Sequence, residues 1–158
     1  MIRIIAVGRM KEEWMSAGVQ EYLKRIRPYE KIEVIEVPDE KAPEKNSDAQ
    51  NRQVMQTEGE KVLKKIKEQE YVILLDLKGK EYSSMQMAEK IRQLHTYSSS
   101  TIDFVIGGSL GVSEELIKRA DMRWKLSECT FPHPLCRLIL SEQIYRCMKI
   151  LNHGPYHK

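Results

Sequence analysis

The chain has 158 residues, 26 of them basic and 23 acidic, for a formal net charge of +3, and 41% of it is hydrophobic. That length supports one domain with its own core, and the composition is that of a soluble globular protein rather than a low-complexity chain. The longest apolar runs, 102–108 and 138–140, are too short to cross a bilayer, and so balanced a charge permits a nucleic-acid partner without demanding one.

Residues 2–7, Ile-Arg-Ile-Ile-Ala-Val, read as a buried strand stopped by Gly8, not as a signal peptide, because no charged segment and cleavage site accompany them. From Lys11 to Ile26 the spacing of Met15, Val19, Tyr22 and Ile26 predicts a helix, ended by Pro28. Residues 32–37 are β-branched and strand-like. A charged loop with two prolines, 38–46, follows. Ser47 and Gln50 have capping-box spacing and open a helix with Met55, Val62, Leu63 and Ile66 on one side.

Tyr71–Leu77 is the clearest buried strand, and Lys78-Gly-Lys80 is expected to turn it. Ser83 with Gln86 caps a helix bearing Met87, Ile91 and Leu94, and the serines 98–100 form a linker. Residues 102–106 are a fourth strand, followed by Gly107-Gly-Ser-Leu-Gly111. Ser113 caps a short helix through Ala120, and 123–126 make a fifth strand. The last helix presents Leu140, Ile144, Cys147 or Met148, and Leu151 on one face, widened by Leu138 and Tyr145. So broad a face is ordinary core, or core plus a self-complementary dimer contact.

Strand and helix alternate throughout. The expected fold is a single α/β domain over residues 1–158, with a mostly parallel sheet and helices on both faces. Ligands of such sheets bind beyond the C-terminal strand ends. Three of those ends stand out: 75–79, 107–111 and 126–133.

Gly107 and Gly108, between a strand and a helix, suit either a nucleotide-like cofactor or a tight turn. They lack the Gly-x-Gly opening of the dinucleotide fingerprint, although Glu128 lies 20 residues beyond Gly108, a spacing suited to a ribose contact. Pro132 and Pro134 bias Phe131 and His133 to extended backbone, which predicts a loop presenting His133. Cys129, His133 and Cys136 match no common zinc spacing, so no metal is assigned. Three cysteines without disulfide spacing fit a reducing cytosol. The tail carries an aromatic, an imidazole and a cation in Tyr156, His157 and Lys158; it is either a frayed end or an RNA contact.

Gly107-Gly-Ser-Leu-Gly111, Thr130-Phe-Pro-His-Pro-Leu-Cys-Arg137 and Pro155-Tyr-His-Lys158 together resemble the ribosomal RNA large-subunit methyltransferase H family, of the SPOUT class, and the resemblance spans the chain. It implies S-adenosylmethionine as cofactor, methylation at N3 of a pseudouridine in large-subunit (23S) ribosomal RNA on the assembled ribosome, a cytoplasmic homodimer, and a C-terminal trefoil knot. By the same resemblance, Leu75, Gly107 and the run Leu126, Ser127, Glu128, Cys129, Thr130 and Phe131 would contact the cofactor. His133 and His157 are candidate bases. Arg137 could stabilise the anion on the target base or hold a phosphate. Arg137, Tyr156, His157 and Lys158 would meet the RNA. Two rivals stand beside this reading: a non-catalytic ribosome- or RNA-binding module, which leaves the glycine loop unexplained, and a dinucleotide-dependent oxidoreductase.

Overall fold

Five strands and five helices alternate along the chain: β1 (Ile2–Val7), α1 (Glu13–Ile26), β2 (Ile32–Val37), α2 (Asp48–Leu63), β3 (Tyr71–Glu81), α3 (Ser84–Tyr97), β4 (Ile102–Ile106), α4 (Glu114–Arg119), β5 (Met122–Lys125) and α5 (His133–Leu151). The structure, a computed structural model, describes residues 1–41, 45, 47–98 and 101–158. Of the expected proline loop, Ala42, Pro43, Glu44 and Asn46 lie outside the described residues, as do Ser99 and Ser100 of the serine linker.

The strands form one parallel sheet in the order β2-β1-β4-β3-β5. A single row of partners, Val34, Ile4, Phe104, Ile73 and Met122, runs across all five. Because side chains alternate along a strand, this row and its companions Ile2, Ala6, Ile102 and Ile106 face α1, α3 and α5. The other set, Ile5, Val7, Val72, Leu74 and Val105, faces Val62 of α2 and Leu116 of α4. Burial on both faces explains why the strands read as continuous apolar runs. Among the described residues no helix is long and apolar enough to cross a membrane.

Capping chemistry sets two helix starts as the sequence foretold. Ser47 and Ser83 each accept the amide three residues on, while Gln50 and Gln86 reach back to the capping amides. Other details differ. Leu23 rather than Tyr22 enters the core. On α2 the fully buried positions are Glu58, Gly59 and Val62. Lys78-Gly-Lys80 is no turn: β3 continues to Glu81, with an irregularity between Leu75 and Lys80 opposite β5. Gly79 permits it, since a Cβ there would stand 2.6 Å from the Arg123 carbonyl oxygen. His133 is not extended but opens α5, with Pro132 as its N-cap and Pro134 in its first turn. A proline there sacrifices only an amide the helix could not have used.

At the N-terminal edge of the sheet Arg3 is almost fully buried. Its Nε donates to Asp103 Oδ1 (2.7 Å), and Nη2 donates to Asp103 Oδ2 (2.9 Å), Glu70 Oε2 (2.6 Å) and the Lys65 carbonyl (3.0 Å). The bonds tie β1 to β4 and to the turn before β3. Replacing Arg3 by Met would strand two buried carboxylates, so Arg3→Met should lose about 3–5 kcal/mol of stability, read as a fall in the urea midpoint.

Candidate functional site

The C-terminal ends of β4, β3 and β5 lie side by side, and a cleft of about 700 Å³ opens between them. Its walls come from Leu75–Lys78 after the first half of β3, from Ile106–Gly108 and Leu110–Glu115 around the glycine loop, and from Trp124 of β5 with Leu126, Ser127, Cys129, Thr130 and Phe131 beyond it. Arg52, Met55 and Gln56 of α2 close one side, and His133 and Cys136 of α5 another. The volume suits a nucleoside-sized ligand.

Why the chain folds this way locally is plain at the glycines. A Cβ on Gly107 would stand 2.5 Å from Val112 Cγ1, and one on Gly108 would stand 2.5 Å from Glu58 Oε1. Gly111 has φ +107°, and its amide donates to the Gly108 carbonyl (3.1 Å), closing a tight turn. The protein's own packing therefore demands these glycines. A valine at Gly107 would strike Val112 before it reached any ligand.

Residues 126–131 belong to no strand or helix, so most of their backbone groups are open to a ligand's polar edge, whereas the Pro132 carbonyl accepts the Cys136 amide (3.0 Å) at the start of α5. Within the segment the Cys129 amide donates to Ser127 Oγ (3.0 Å). Leu75, Leu126 and Phe131 supply apolar wall. At the rim Arg123 pairs with Asp76 (2.6 Å), which neutralises both. Among the described residues no group of three or more His, Cys, Asp or Glu side chains is placed to hold a metal.

The structure divides the expected site residues into two groups. Leu75, Gly107, Gly108, Leu126, Ser127, Cys129, Thr130, Phe131 and His133 line the cleft together. Glu128 does not; its side chain is 82% exposed and pairs with Lys125. Arg137 also lies off the cleft, buried, with Nη1 donating to Glu36 Oε2 (2.6 Å) and Nη2 to the Gly8 carbonyl (3.1 Å).

The tail folds back onto the middle of α5, against Glu142, Tyr145 and Arg146. Tyr156 donates its hydroxyl to Glu142 (3.0 Å), packs edge-on against Tyr145 with ring centroids 4.7 Å apart, and lies under the Arg146 guanidinium at 4.7 Å. Arg146 also meets His157 Nδ1 at 3.2 Å. Burial, then hydrogen bonding to Tyr22 and Glu142, pushes the Tyr156 hydroxyl pKa up. None of Tyr156, His157 or Lys158 lines the cleft of its own chain.

Sequence reasoning missed the α2 residues and the segment from Val112 to Glu115. Arg52, Met55 and Gln56 are ordinary helix residues, and nothing local to them signals that α2 will pack beside a strand end more than 40 positions later. Asp76, next to the expected Leu75, was within reach of the strand-end rule.

Comparison with known proteins adds an independent line. The family model described as "Predicted SPOUT methyltransferase" matches residues 1–157. Proteins named ribosomal RNA large subunit methyltransferase H are similar along almost their whole length. That of Limosilactobacillus reuteri is 54% identical over 157 residues, covering 99% of both chains. Those of Alkaliphilus oremlandii and Enterococcus faecalis are 52% and 47% identical over the same length, again covering 99% of both chains.

Burial pushes the His133 imidazole below its ordinary value, so the ring is neutral at physiological pH. The folded state then binds fewer protons at this site than the unfolded chain, and its share of stability is lost as pH falls. In an NMR titration the His133 ring should show a midpoint below the usual value of about 6.5, and return to that value in denaturant.

Proposed function

Because this chain belongs to the SPOUT methyltransferase family, among the ribosomal RNA large-subunit methyltransferase H proteins, we propose that it transfers the methyl group of S-adenosylmethionine to N3 of a pseudouridine in 23S ribosomal RNA, on the assembled ribosome. Family membership also implies a trefoil knot in the C-terminal part. The observation that carries the reading is the cleft, whose walls are the three strand-end segments on which the cofactor contacts were expected. A non-catalytic RNA-binding module would leave that cleft without a role.

When bound, S-adenosylmethionine supplies an electrophilic methyl group on a sulfonium. The chain's own residues do the rest. The backbone of 126–131 would hold the adenine edge, with Leu75 and Phe131 against its faces. Holding donor and acceptor in line is worth about 7–11 kcal/mol. N3 of pseudouridine must lose a proton, and a positioned base adds roughly a hundred- to ten-thousand-fold. His133 meets two requirements of that base: it lines the cleft, and burial keeps it neutral. Arg137, engaged with Glu36 and Gly8, would act by fixing the start of α5 against β1 and β2.

The tail reaches substrate differently. Thirteen residues of helix separate His133 from Arg146, about 20 Å of rise, so a tail docked beside Arg146 does not serve its own cleft. A homodimer resolves the distance by bringing the tail of a second copy to each site, and α5 suits such a contact. Not one of its 19 residues is fully exposed, and Leu138, Ile139, Tyr145, Ile150 and Leu151 are half-buried in the single chain. Tyr156, His157 and Lys158 of that second copy would then stack on, hydrogen-bond and neutralise the RNA. Residues 1–158 act as one such unit, in the cytoplasm, where free cysteines persist.

Three measurements test this. S-adenosylmethionine at a hundred times its Kd should stabilise the protein by about 2.7 kcal/mol, read as a rise in melting temperature, while NAD should leave the melting temperature unchanged. Sedimentation should show a dimer at micromolar concentration. Truncation after Gly154 should leave cofactor binding nearly intact yet sharply reduce methyl transfer to ribosomes, since a lost stacking contact alone costs about 1–3 kcal/mol per base. Transfer at the wild-type rate by the truncated chain would reject the role of the tail.

A further inference from the structure

One charged group beside the cleft has no part in the scheme above. Glu58 of α2 is only 4% exposed, yet it is an acid. Its Oε2 accepts the Glu40 amide at 3.0 Å. Its Oε1 sits against Gly108, so closely that a Cβ on that glycine would stand 2.5 Å away. Gly108 in turn lines the cleft, so the carboxylate lies directly behind the cleft wall.

No Lys or Arg among the described residues forms an ion pair with it. Lys61, one helical turn on, gives its ammonium instead to Glu40 (2.5 Å) and the Pro38 carbonyl (3.2 Å). The acids that do line the cleft are in a different position. Asp76 is neutralised by Arg123, while Glu114 and Glu115 are exposed and screened by water. Glu58 is thus the buried negative charge at this cleft that lacks a cation. Burial accordingly holds its carboxyl above the usual range; Asp39 and Glu40 add to that push, and the Glu40 amide and Lys61 oppose it. Such a group disfavours folding at neutral pH, and a neutral residue would fit the same space more cheaply.

Resting on the reading of the cleft as an S-adenosylmethionine site, we infer that Glu58 is a specificity-determining residue whose buried carboxylate makes the cleft favour the cationic methyl donor over its neutral product. The two ligands differ at one atom. In transfer the bond from sulfur to methyl would break with its electron pair staying on sulfur, the methyl would bond to N3 of the target base as that nitrogen gives its proton to His133, the proposed base, and the sulfonium would become an uncharged thioether. A fixed negative charge in a poorly screened position attracts the first form and is indifferent to the second. Product release is eased by the reaction itself. The same charge stabilises the ground-state sulfonium, so its removal should weaken donor binding without slowing the chemical step.

The test is calorimetric titration of the full-length protein with S-adenosylmethionine and, separately, with S-adenosylhomocysteine, for wild type, Glu58→Gln and Glu58→Ala. Removing the charge should weaken binding of the sulfonium ligand by about tenfold and that of the thioether by less than about twofold. In steady state the KM for the donor should rise while kcat does not fall. Glu58→Gln should also melt no lower than wild type at pH 8, a result that separates this role from a structural one; if it does not fold, Glu58→Ala, a neutral side chain of different shape, decides. Equal weakening of both ligands, or no weakening of either, would overturn the inference and leave the cofactor reading standing. A wild-type protein that binds neither ligand would overturn the cofactor reading itself, and this inference with it.

Discussion

Everything at the site hangs on the parallel pairing of β4 with β1 on one side and β3 on the other. β4 is five residues long and wholly buried, and its register with both neighbours places Phe104 beside Ile4 and Ile73. Parallel strands all release their chain at the same edge, so the glycine loop, Leu75 and, beyond β5, the 126–132 segment emerge as neighbours. The Arg3–Asp103–Glu70 network holds the opposite ends of β1 and β4 in place. One edge of the sheet is thus tied by buried charge, and the other is left for a ligand.

The site edge is shaped by close approaches more than by side chains that point into it. Gly107, Gly108 and Gly59 each sit where a Cβ would collide, with Val112, Glu58 and Ser113 respectively. Two layers meet there: the glycine loop with the start of α4, and the face of α2 that carries Met55, Glu58, Gly59 and Val62. A ligand wall built this way is thin, so a charge behind it acts across little more than one backbone. That is why a buried carboxylate on α2 bears on ligand choice although its side chain never enters the cleft.

The C-terminal end has a different logic. The tail is anchored by mixed forces: Tyr156 against Tyr145, its hydroxyl on Glu142, and the Arg146 cation over its ring. Such an anchor presents His157 and Lys158, both exposed, from a defined place rather than from a frayed end. It also separates the two groups of expected site residues by roughly half the length of α5 or more. Within one chain that separation keeps Tyr156, His157 and Lys158 away from the cleft.

The periodicity of the chain determined most of the architecture, because burial on both faces of a parallel sheet writes long apolar runs into strands such as 2–7 and 102–106, and Ser-x-x-Gln writes helix starts. The strand-end rule also located most of the cleft, from Leu75 to the 126–131 run. What the sequence left open were matters of distance. Lys78-Gly-Lys80 carries turn composition, but pairing with β5 draws it into β3, because Gly79 lets the Arg123 backbone come close. His133 between prolines looks extended, but the first turn of a helix has no use for the amide that Pro134 lacks. Glu58 reads as one acid among many on a polar helix. Only tertiary packing buries it behind Gly108, 50 positions away, and contacts at that separation leave no trace in local pattern because nothing in the chain between them has to match.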